Sequence, residues 1–371
     1  MLRYLYYKFL FKRIMAYLPR LLFLLPFFFA SCSLEEDNRE QMVNLQQVKD
    51  NPEAQLVNLN AAIEQTGSDG SLYARRSVVL LRKGELEQAL NDANKAVKLT
   101  RNEPSSLFVK AQVLRTMGKP EEALPLALQA ERNSYQSSSL YVLLGDLYLQ
   151  RNDYQQAQAY LNKAQELSPD DEFAFYYKGR VQEATGDTAR AMQNYRNALE
   201  QAPAFVEAQR ELAGLLVAEG DFTAAKPFLA SALKAAPKDG VLWYYKGLVQ
   251  KAEQKPDSAL QAFSRAVSLN DTIQGAHYWL GIQQHKLGNN EAAISHLQRA
   301  ASYKGELKYM TNLASAYERT GQNGLSLATY QRLVEAEPTY TYAYQAISRI
   351  KSKLVKPKPD STAVRQVQIQ Q

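Results

Sequence analysis

The sequence predicts an all-α solenoid of about eight stacked helix–turn–helix units. The main observation is a repeat, which is seen when the chain is written in rows of 34 residues starting at Gly70. Positions 20 and 27 are alanine in seven successive rows, a regularity that helical composition alone does not produce. The alanines are Ala89, Ala123, Ala157, Ala191, Ala225, Ala259 and Ala293 at position 20, and Ala96, Ala130, Ala164, Ala198, Ala232, Ala266 and Ala300 at position 27. Gly (17) and Pro (14) are also sparse among 371 residues, which favours helices.

Other positions place two helices in each row. Position 8 is small, which lets helices approach closely, and position 15 is often a glycine that can take the left-handed conformation ending a helix. Prolines follow the second helix, where they stop its propagation. The position-8 residues are Ser77, Ala111, Gly145, Gly179, Ala213, Gly247 and Gly281; the turn glycines are Gly84, Gly118, Gly186, Gly220, Gly288 and Gly321; the prolines are Pro169, Pro203, Pro237 and Pro338.

The third row carries the fullest pattern. Its residues are Tyr141, Leu144, Gly145, Tyr148, Tyr154, Ala157, Leu161, Ala164, Leu167 and Pro169. This pattern resembles the tetratricopeptide repeat, and the resemblance covers about Glu36 to Val355. It implies a right-handed superhelical solenoid with partial caps at both ends, whose first helices line a concave face.

The repeat frame divides the chain into segments. Residues 51–355 form the solenoid, followed by a tail, 356–371, that we expect to be disordered. The solenoid consists of a partial repeat at 51–69, full repeats at 70–103, 104–137, 138–171, 172–205, 206–239, 240–273, 274–306 and 307–340, and a capping helix at 341–355.

The N-terminus resembles a bacterial lipoprotein signal. A basic stretch precedes the apolar run Leu21–Phe29, which alone is shorter than the roughly 20 residues that span a membrane. Small residues then precede Cys32, the one cysteine in the chain. The resemblance implies that residues 1–31 are removed and that Cys32 is diacylated, with 32–50 as a lipidated N-terminus and linker. The alternative is an incidental cysteine behind an uncleaved anchor, and the start codon stays open between Met1 and Met15.

The residues after Cys32 bear on location. Ser33 in place of aspartate resembles the pattern of outer-membrane lipoproteins, which predicts a lipid-anchored protein of a Gram-negative cell envelope, on the periplasmic face or at the cell surface. The acidic residues 35–37 fit either a surface-routing signal or a solvated linker.

Charge argues against a nucleic-acid partner. The formal net charge is +6, but five basic residues lie within positions 1–32, leaving 39 basic against 38 acidic groups. A near-neutral domain lacks the positive field that phosphate binding uses.

Residues able to do chemistry are few, so we expect no enzyme, cofactor or metal. His277, His285 and His296 are not joined by cysteine or clustered acids at metal-ligand spacing, and we interpret them as satisfied or exposed. Neither a phosphate-binding glycine loop nor a nucleophile with an evident base is present in the sequence.

The resemblance also implies a binding surface on the first helices. The candidate partner-binding residues are Phe108, Phe173, Tyr176, Arg180, Arg210, Tyr244, Lys251 and Tyr278. Aromatic residues and arginine are frequent interface anchors. The Lys and Asn clamp of chaperone-adaptor members is missing, which argues against chaperone-tail binding. If this surface binds the partner, we expect that replacing Tyr176, Tyr244 and Tyr278 by alanine weakens partner capture and leaves stability unchanged.

Three functions compete for this surface. The leading hypothesis is a membrane-tethered scaffold of the bacterial envelope that binds a segment of an envelope protein. A surface receptor for glycans or small ligands, or a passive spacer, are the alternatives. The aromatic residues at position 5 could equally pack along the helices rather than bind.

Overall fold

All regular structure in the described residues is α-helical, which confirms the predicted fold class. The computed structural model describes residues 51–300 and 307–355, in which there are 18 helices and no strands. The predictions for residues 1–31, the linker 32–50 with Cys32, and the tail 356–371 lie outside the described residues.

The chain divides into two compact units after Thr100. The helices of unit 1 are α1 (Pro52–Gln65), α2 (Gly70–Lys83) and α3 (Leu86–Leu99). The first helices of unit 2 are α4 (Pro104–Thr116), α6 (Ser138–Gln150), α8 (Glu172–Ala184), α10 (Val206–Glu219), α12 (Gly240–Ala252), α14 (Gln274–Lys286) and α16 (Leu307–Arg319). Its second helices are α5 (Pro120–Arg132), α7 (Tyr154–Leu167), α9 (Thr188–Gln201), α11 (Phe222–Ala235), α13 (Pro256–Leu269), α15 (Asn290–Arg299) and α17 (Asn323–Ala336). A single helix, α18 (Thr341–Val355), follows them.

Within unit 2 each first helix packs against its own second helix, and each second helix packs against the next first helix. Several successive first helices also contact one another directly, including α6 with α8, α10 with α12, and α14 with α16. These first-helix contacts bring side chains of neighbouring repeats onto a shared face.

The turn between the two helices of a repeat is fixed by one or two residues. In the repeat 172–205, Gly186 takes the left-handed conformation (φ 85°), and the next N–H, of Asp187, donates to the Gln182 carbonyl at 2.8 Å. Asp187 then caps α9 by accepting from the Arg190 N–H at 3.1 Å. The same backbone conformation is taken by Asn152 (φ 59°) and Gln254 (φ 60°) in repeats that lack a glycine there.

The repeated alanines form the inner core. All fourteen residues at positions 20 and 27 are at most 4% exposed. Position 8 receives the large side chain at position 24 of the same repeat: a Cβ on Gly145 would stand 2.6 Å from Leu161 Cγ, and one on Gly247 would stand 2.5 Å from Phe263 Cε1. The small residue is therefore required for the two helices to pack at this distance.

None of the helices in residues 51–300 and 307–355 combines the length and the apolar character that crossing a membrane requires.

Candidate functional site

The candidate site is the surface made by positions 2, 5, 6, 9, 12 and 13 of the first helices α4 to α16, which we call the first-helix face. Its contacts run between repeats. Arg115 on α4 pairs with Asp146 on α6 and donates to the Tyr177 hydroxyl on α8, so one guanidinium joins three successive first helices. Arg115 is the position-12 residue of its repeat and Asp146 is the position-9 residue of the next.

The Asp146 carboxylate is almost completely buried, at 5% exposed. Besides Arg115, it accepts a hydrogen bond from Gln150 Nε2 at 3.1 Å. Because a buried carboxylate is costly without charged partners, the Arg115–Asp146 pair fixes the relative position of α4 and α6. Burial, and then the nearby Asp146 charge, raise the pKa of the Tyr177 hydroxyl.

The aromatic residues at position 5 lie mostly below this surface. Tyr176 is 5% exposed and Tyr278 only 1%, and Phe108 is also buried. The Tyr176 ring packs between Phe205 and Tyr195, at centroid distances of 5.0 and 5.9 Å. This burial favours the packing alternative for Tyr176, Tyr278 and Phe108. It gives no support to the expectation that replacing Tyr176 and Tyr278 by alanine leaves stability unchanged.

Two of the predicted aromatic residues stay closer to the surface. Phe173, near the start of α8, is 47% exposed and meets Phe205 edge-on at 5.1 Å. Tyr244 is half-buried, and its hydroxyl occupies the space where Gly275 would carry a Cβ. Of the predicted aromatic set, Phe173 is the one that offers a ring to solvent.

Arg180 on α8 is half-buried, and its Nη1 donates a hydrogen bond to the Tyr176 hydroxyl at 3.1 Å. Among the described residues it forms no ion pair with a carboxylate at contact distance. Burial disfavours its charge, and the Tyr176 hydroxyl and then the nearby Glu211 carboxylate raise the pKa of the guanidinium. It lines an open cavity of about 410 Å³ together with Asp146, Gln150 and Glu183. The guanidinium therefore keeps unused N–H donors beside an accessible space.

Arg210 on α10 has the opposite environment. Its guanidinium pairs with Glu211 at 2.7 Å and with Asp239 at 3.2 Å. Asp239 also caps α12 by accepting from the Val241 N–H at 2.8 Å. Burial, and then Glu211, raise the pKa of the neighbouring Tyr245 to about 12. Arg210 is thus a linking residue between α10 and α12, with its charge already matched.

Lys251, at the end of α12, is exposed and lies over an aromatic ring of the next repeat. Its Nζ is 3.7 Å from the centroid of Trp279 on α14, at the distance of a cation–π contact. Trp279 stacks in turn on Phe263, with centroids 6.4 Å apart. The indole Nε1 of Trp279 is buried without a hydrogen-bond partner.

The histidines are hydrogen-bonded, as the sequence indicated, but two of them also meet. His277 Nδ1 lies 2.9 Å from His296 Nδ1, and His277 Nε2 lies 3.1 Å from the Asp271 carbonyl oxygen. His285 contacts Asn290 and Ser315, at 2.9 and 3.1 Å. The part of the chain that the structure describes holds no group of three metal-binding side chains.

Unit 1 has a polar cluster that the sequence did not predict. Arg76 bonds Asp92 through two nitrogens, at 2.6 and 2.9 Å, and Asn60 at 2.8 Å. These residues border a cavity of about 290 Å³. The carboxylate of Asp92 is buried and matched, so the cluster joins α1, α2 and α3.

Sequence reasoning missed Arg115, Glu183 and Trp279. The first two occupy position 12, as the predicted residue Lys251 does, so reading that position in every row would have found them. Trp279 occupies position 6, which was not considered. Its role depends on a contact with the preceding repeat, which no pattern within one row contains.

The geometry is that of a helical-repeat protein with a shared first-helix face, and comparison with known proteins gives the family. Models described as "Tetratricopeptide repeat" match residues 108–172, 183–247, 244–307 and 307–340, which is more than half of the chain. The chain belongs to the tetratricopeptide-repeat family.

Individual relatives are distant. Protein NPGR2 of Arabidopsis thaliana is 24% identical over 58% of this chain and 29% of its own length. The chain spans between 16% and 53% of the length of the curated relatives it matches. Among solved structures, the APC/C hetero-tetramer Cut9-Hcn1 aligns with a TM-score of 0.60 at 17% identity, covering 80% of this chain and 58% of the other. Pseudomonas aeruginosa pilF aligns with a TM-score of 0.50 at 19% identity, covering 58% of this chain and 97% of the other. These identities show the fold alone.

Proposed function

We propose that the chain is a membrane-tethered adaptor of a bacterial cell envelope that binds a segment of a partner protein on its first-helix face. Tetratricopeptide-repeat proteins generally mediate protein–protein interaction, and the fold is typically a scaffold rather than a catalyst. The tether is the lipid on Cys32, the membrane is the outer membrane of a Gram-negative cell, and the partner is an envelope protein.

The observation that carries the binding proposal is the state of Arg180. Two other arginines on this face are matched by carboxylates, Arg115 by Asp146 and Arg210 by Glu211 and Asp239. Arg180 has a tyrosine hydroxyl instead, and it borders an open cavity. A half-buried guanidinium with free donors is a ready anchor for carbonyl or carboxylate oxygens of a bound segment.

The exposed Phe173 ring stands two turns before Arg180 on the same helix, at the start of α8. An apolar ring and an unmatched guanidinium on one helix face are the two anchor types that interfaces use most. A glycan receptor would use exposed aromatic rings as stacking platforms, whereas Tyr176 and Tyr278 are buried.

The test is crosslinking and co-purification from the native cells. It compares the wild type, Cys32→Ala, the face variant Phe173→Ala/Arg180→Ala, and a matched control on the second helices, Leu167→Ala/Arg196→Ala. Leu167 is 51% exposed and Arg196 is exposed, so the control removes the same kinds of side chain from another surface.

We expect one envelope protein to co-purify with the wild type and the control and to be lost in the face variant. Cys32→Ala is expected to move the chain out of the membrane fraction. Identical partners in the face variant and the wild type would overturn the binding surface. A membrane fraction unchanged by Cys32→Ala would overturn the lipid tether.

A further inference from the structure

The C-terminal half of the first-helix face carries cations that no carboxylate matches among the described residues. Lys251, Lys286 and Arg319 lie at the ends of α12, α14 and α16 and are all exposed. Lys251 contacts a ring, and none of the three forms an ion pair in residues 51–300 and 307–355. In the N-terminal half, Arg115 and Arg210 are paired with carboxylates, and Arg180 is the exception.

The acid on this part of the face is already engaged. Glu318, on the last turn of α16, is held by Arg349 at 2.8 Å and Lys353 at 2.6 Å from α18. These two cations lower the pKa of its carboxyl to about 2. Glu318 therefore does not neutralise Lys251, Lys286 or Arg319.

Favourable interaction of cations with the C-terminal end of a helix explains where they lie. It does not explain the second observation, at Trp279. The indole Nε1–H is buried and has no acceptor among the described residues, and the Lys251 ammonium lies over the same indole, 3.7 Å from the ring centroid. Buried donors are nearly always paired and leaving one unpaired is costly, so an acceptor supplied by a bound partner would be stabilising here.

We propose that the surface around Lys251 and Trp279 binds an acidic segment of the partner protein. A partner carboxylate accepts from Lys251 Nζ, which draws the ammonium away from the ring, and a second acceptor oxygen reaches Trp279 Nε1. Lys286 and Arg319 lie at the equivalent ends of the next first helices and meet further acids along an extended segment. This inference rests on the proposed function, because it assigns the chemistry of the segment bound on the first-helix face.

The structure supplies a reporter for the test. The chain has two tryptophans, Trp243 and Trp279, so Trp243→Phe leaves Trp279 as the single fluorophore at the proposed site. The probe is an octaglutamate peptide added to the full chain, with octaglutamine as the uncharged control. Lys246→Met is the matched variant, since Lys246 Nζ lies over Trp243, 4.5 Å from the ring centroid, on the same helix.

We expect octaglutamate to change the Trp279 emission in a saturable manner and octaglutamine to leave it unchanged. Lys251→Met weakens the affinity about two- to fivefold, as expected for one exposed ion pair, and Lys246→Met does not. Adding Lys286→Met and Arg319→Met weakens it further, and raising the salt concentration weakens it in the wild type. Lys251 is exposed, so the melting temperature of Lys251→Met stays that of the parent.

An equal response to the two peptides, or unchanged affinity in Lys251→Met, would overturn the inference. Tighter binding of a single-stranded oligonucleotide than of octaglutamate would replace the acidic peptide by a nucleic acid and overturn it as well. If the inference fails while the face variant still loses its partner in cells, the proposed function stands with a different segment chemistry. If the face variant keeps its partner, the proposed function itself fails.

Discussion

Gly179 on α8 lies directly against the ring of Tyr195 on α9, and a Cβ on the glycine would stand 2.6 Å from Tyr195 Cε1. Tyr195 is fully buried, and its hydroxyl donates to Glu183 at 2.7 Å, which prevents the ring from moving aside freely. The two residues occupy positions 8 and 24 of one repeat, where the same contact recurs between Gly281 and Leu297.

The first prediction concerns this contact. Gly179→Ala is expected to destabilise the chain by about 1 to 3 kcal/mol, because the added methyl group overpacks a rigid site. Gly324→Ala in α17 is the control, since a Cβ there meets nothing within 4 Å and alanine favours the helix. Urea denaturation followed by circular dichroism measures both, and equal midpoints for the two variants would contradict the packing argument.

The second prediction separates packing from surface on α8. Tyr176→Ala is expected to cost about 3 to 5 kcal/mol, since a buried ring leaves a cavity. Phe173→Ala is expected to cost about 1 kcal/mol or less, because the ring is half in solvent. Thermal denaturation of the two variants measures the difference. A Tyr176→Ala variant as stable as the wild type would show that Tyr176 is a surface residue available for binding.

The third prediction concerns the ion pair between α4 and α6. Asp146→Ala is expected to cost about 3 kcal/mol, because it leaves the Arg115 guanidinium without its carboxylate at a mostly buried position. Asp146→Leu combined with Arg115→Met is expected to recover most of that loss, since an apolar pair carries no desolvation penalty. A double-mutant cycle in urea measures the coupling, and additive effects would show that the pair contributes nothing.

The fourth prediction is a pH dependence at α18. The pKa of Glu318 is lowered to about 2 by Arg349 and then Lys353, from an ordinary value of 4.5. A lowered pKa contributes stability that is present above about 4.5 and is lost as the pH falls towards 2. Because both cations are half-exposed, we expect about 1 to 2 kcal/mol. Glu318→Gln should reduce the loss of unfolding free energy as the pH falls in this range, as measured by urea denaturation. An unchanged loss would show that other carboxyl groups cause it.

The fifth prediction concerns the histidine pair. The carbonyl of Asp271 accepts from His277 Nε2–H, so the His277 Nδ1 lone pair accepts from His296 Nδ1–H. If both Nδ1 atoms carried a proton, two N–H donors would face each other at 2.9 Å. Burial, and then His277, lower the pKa of His296, so its contribution to stability is lost as the pH falls below about 6.5.

Melting temperatures at pH 7 and pH 5 measure this effect. We expect a drop in the wild type that His296→Gln reduces. Burial also lowers the pKa of His285, so a residual drop is expected in that variant and disappears only when His285→Gln is added. A wild-type drop that His296→Gln leaves intact would contradict the assignment.

The sequence predicted the fold because its constraints lie within one repeat. The buried alanines at positions 20 and 27 and the small residue at position 8 all satisfy contacts between a helix and its nearest neighbours along the chain. Those contacts recur with the period of the repeat, so they appear in the sequence as the same residue type at the same position of successive rows.

The site was predicted only in part because its contacts lie between repeats. The aromatic residues at position 5 were expected to line the face, yet Tyr176 and Tyr278 are buried. Arg115 and Trp279 belong to the face through contacts with residues one repeat away. Whether a side chain at such a position faces solvent depends on what the adjacent repeat presents. A single row of sequence does not hold that information.

The contact between position 12 of one repeat and position 9 of the next has a consequence for how such a chain can evolve. Arg115 meets Asp146, whereas His285 meets Ser315. Excising residues 138–171 would preserve the period and the buried alanines of every remaining repeat, yet it would bring Arg115 opposite Arg180, a cation against a cation. The buried core therefore permits duplication or shuffling of whole repeats. The first-helix face restricts it, because each repeat carries side chains that match those of its neighbour.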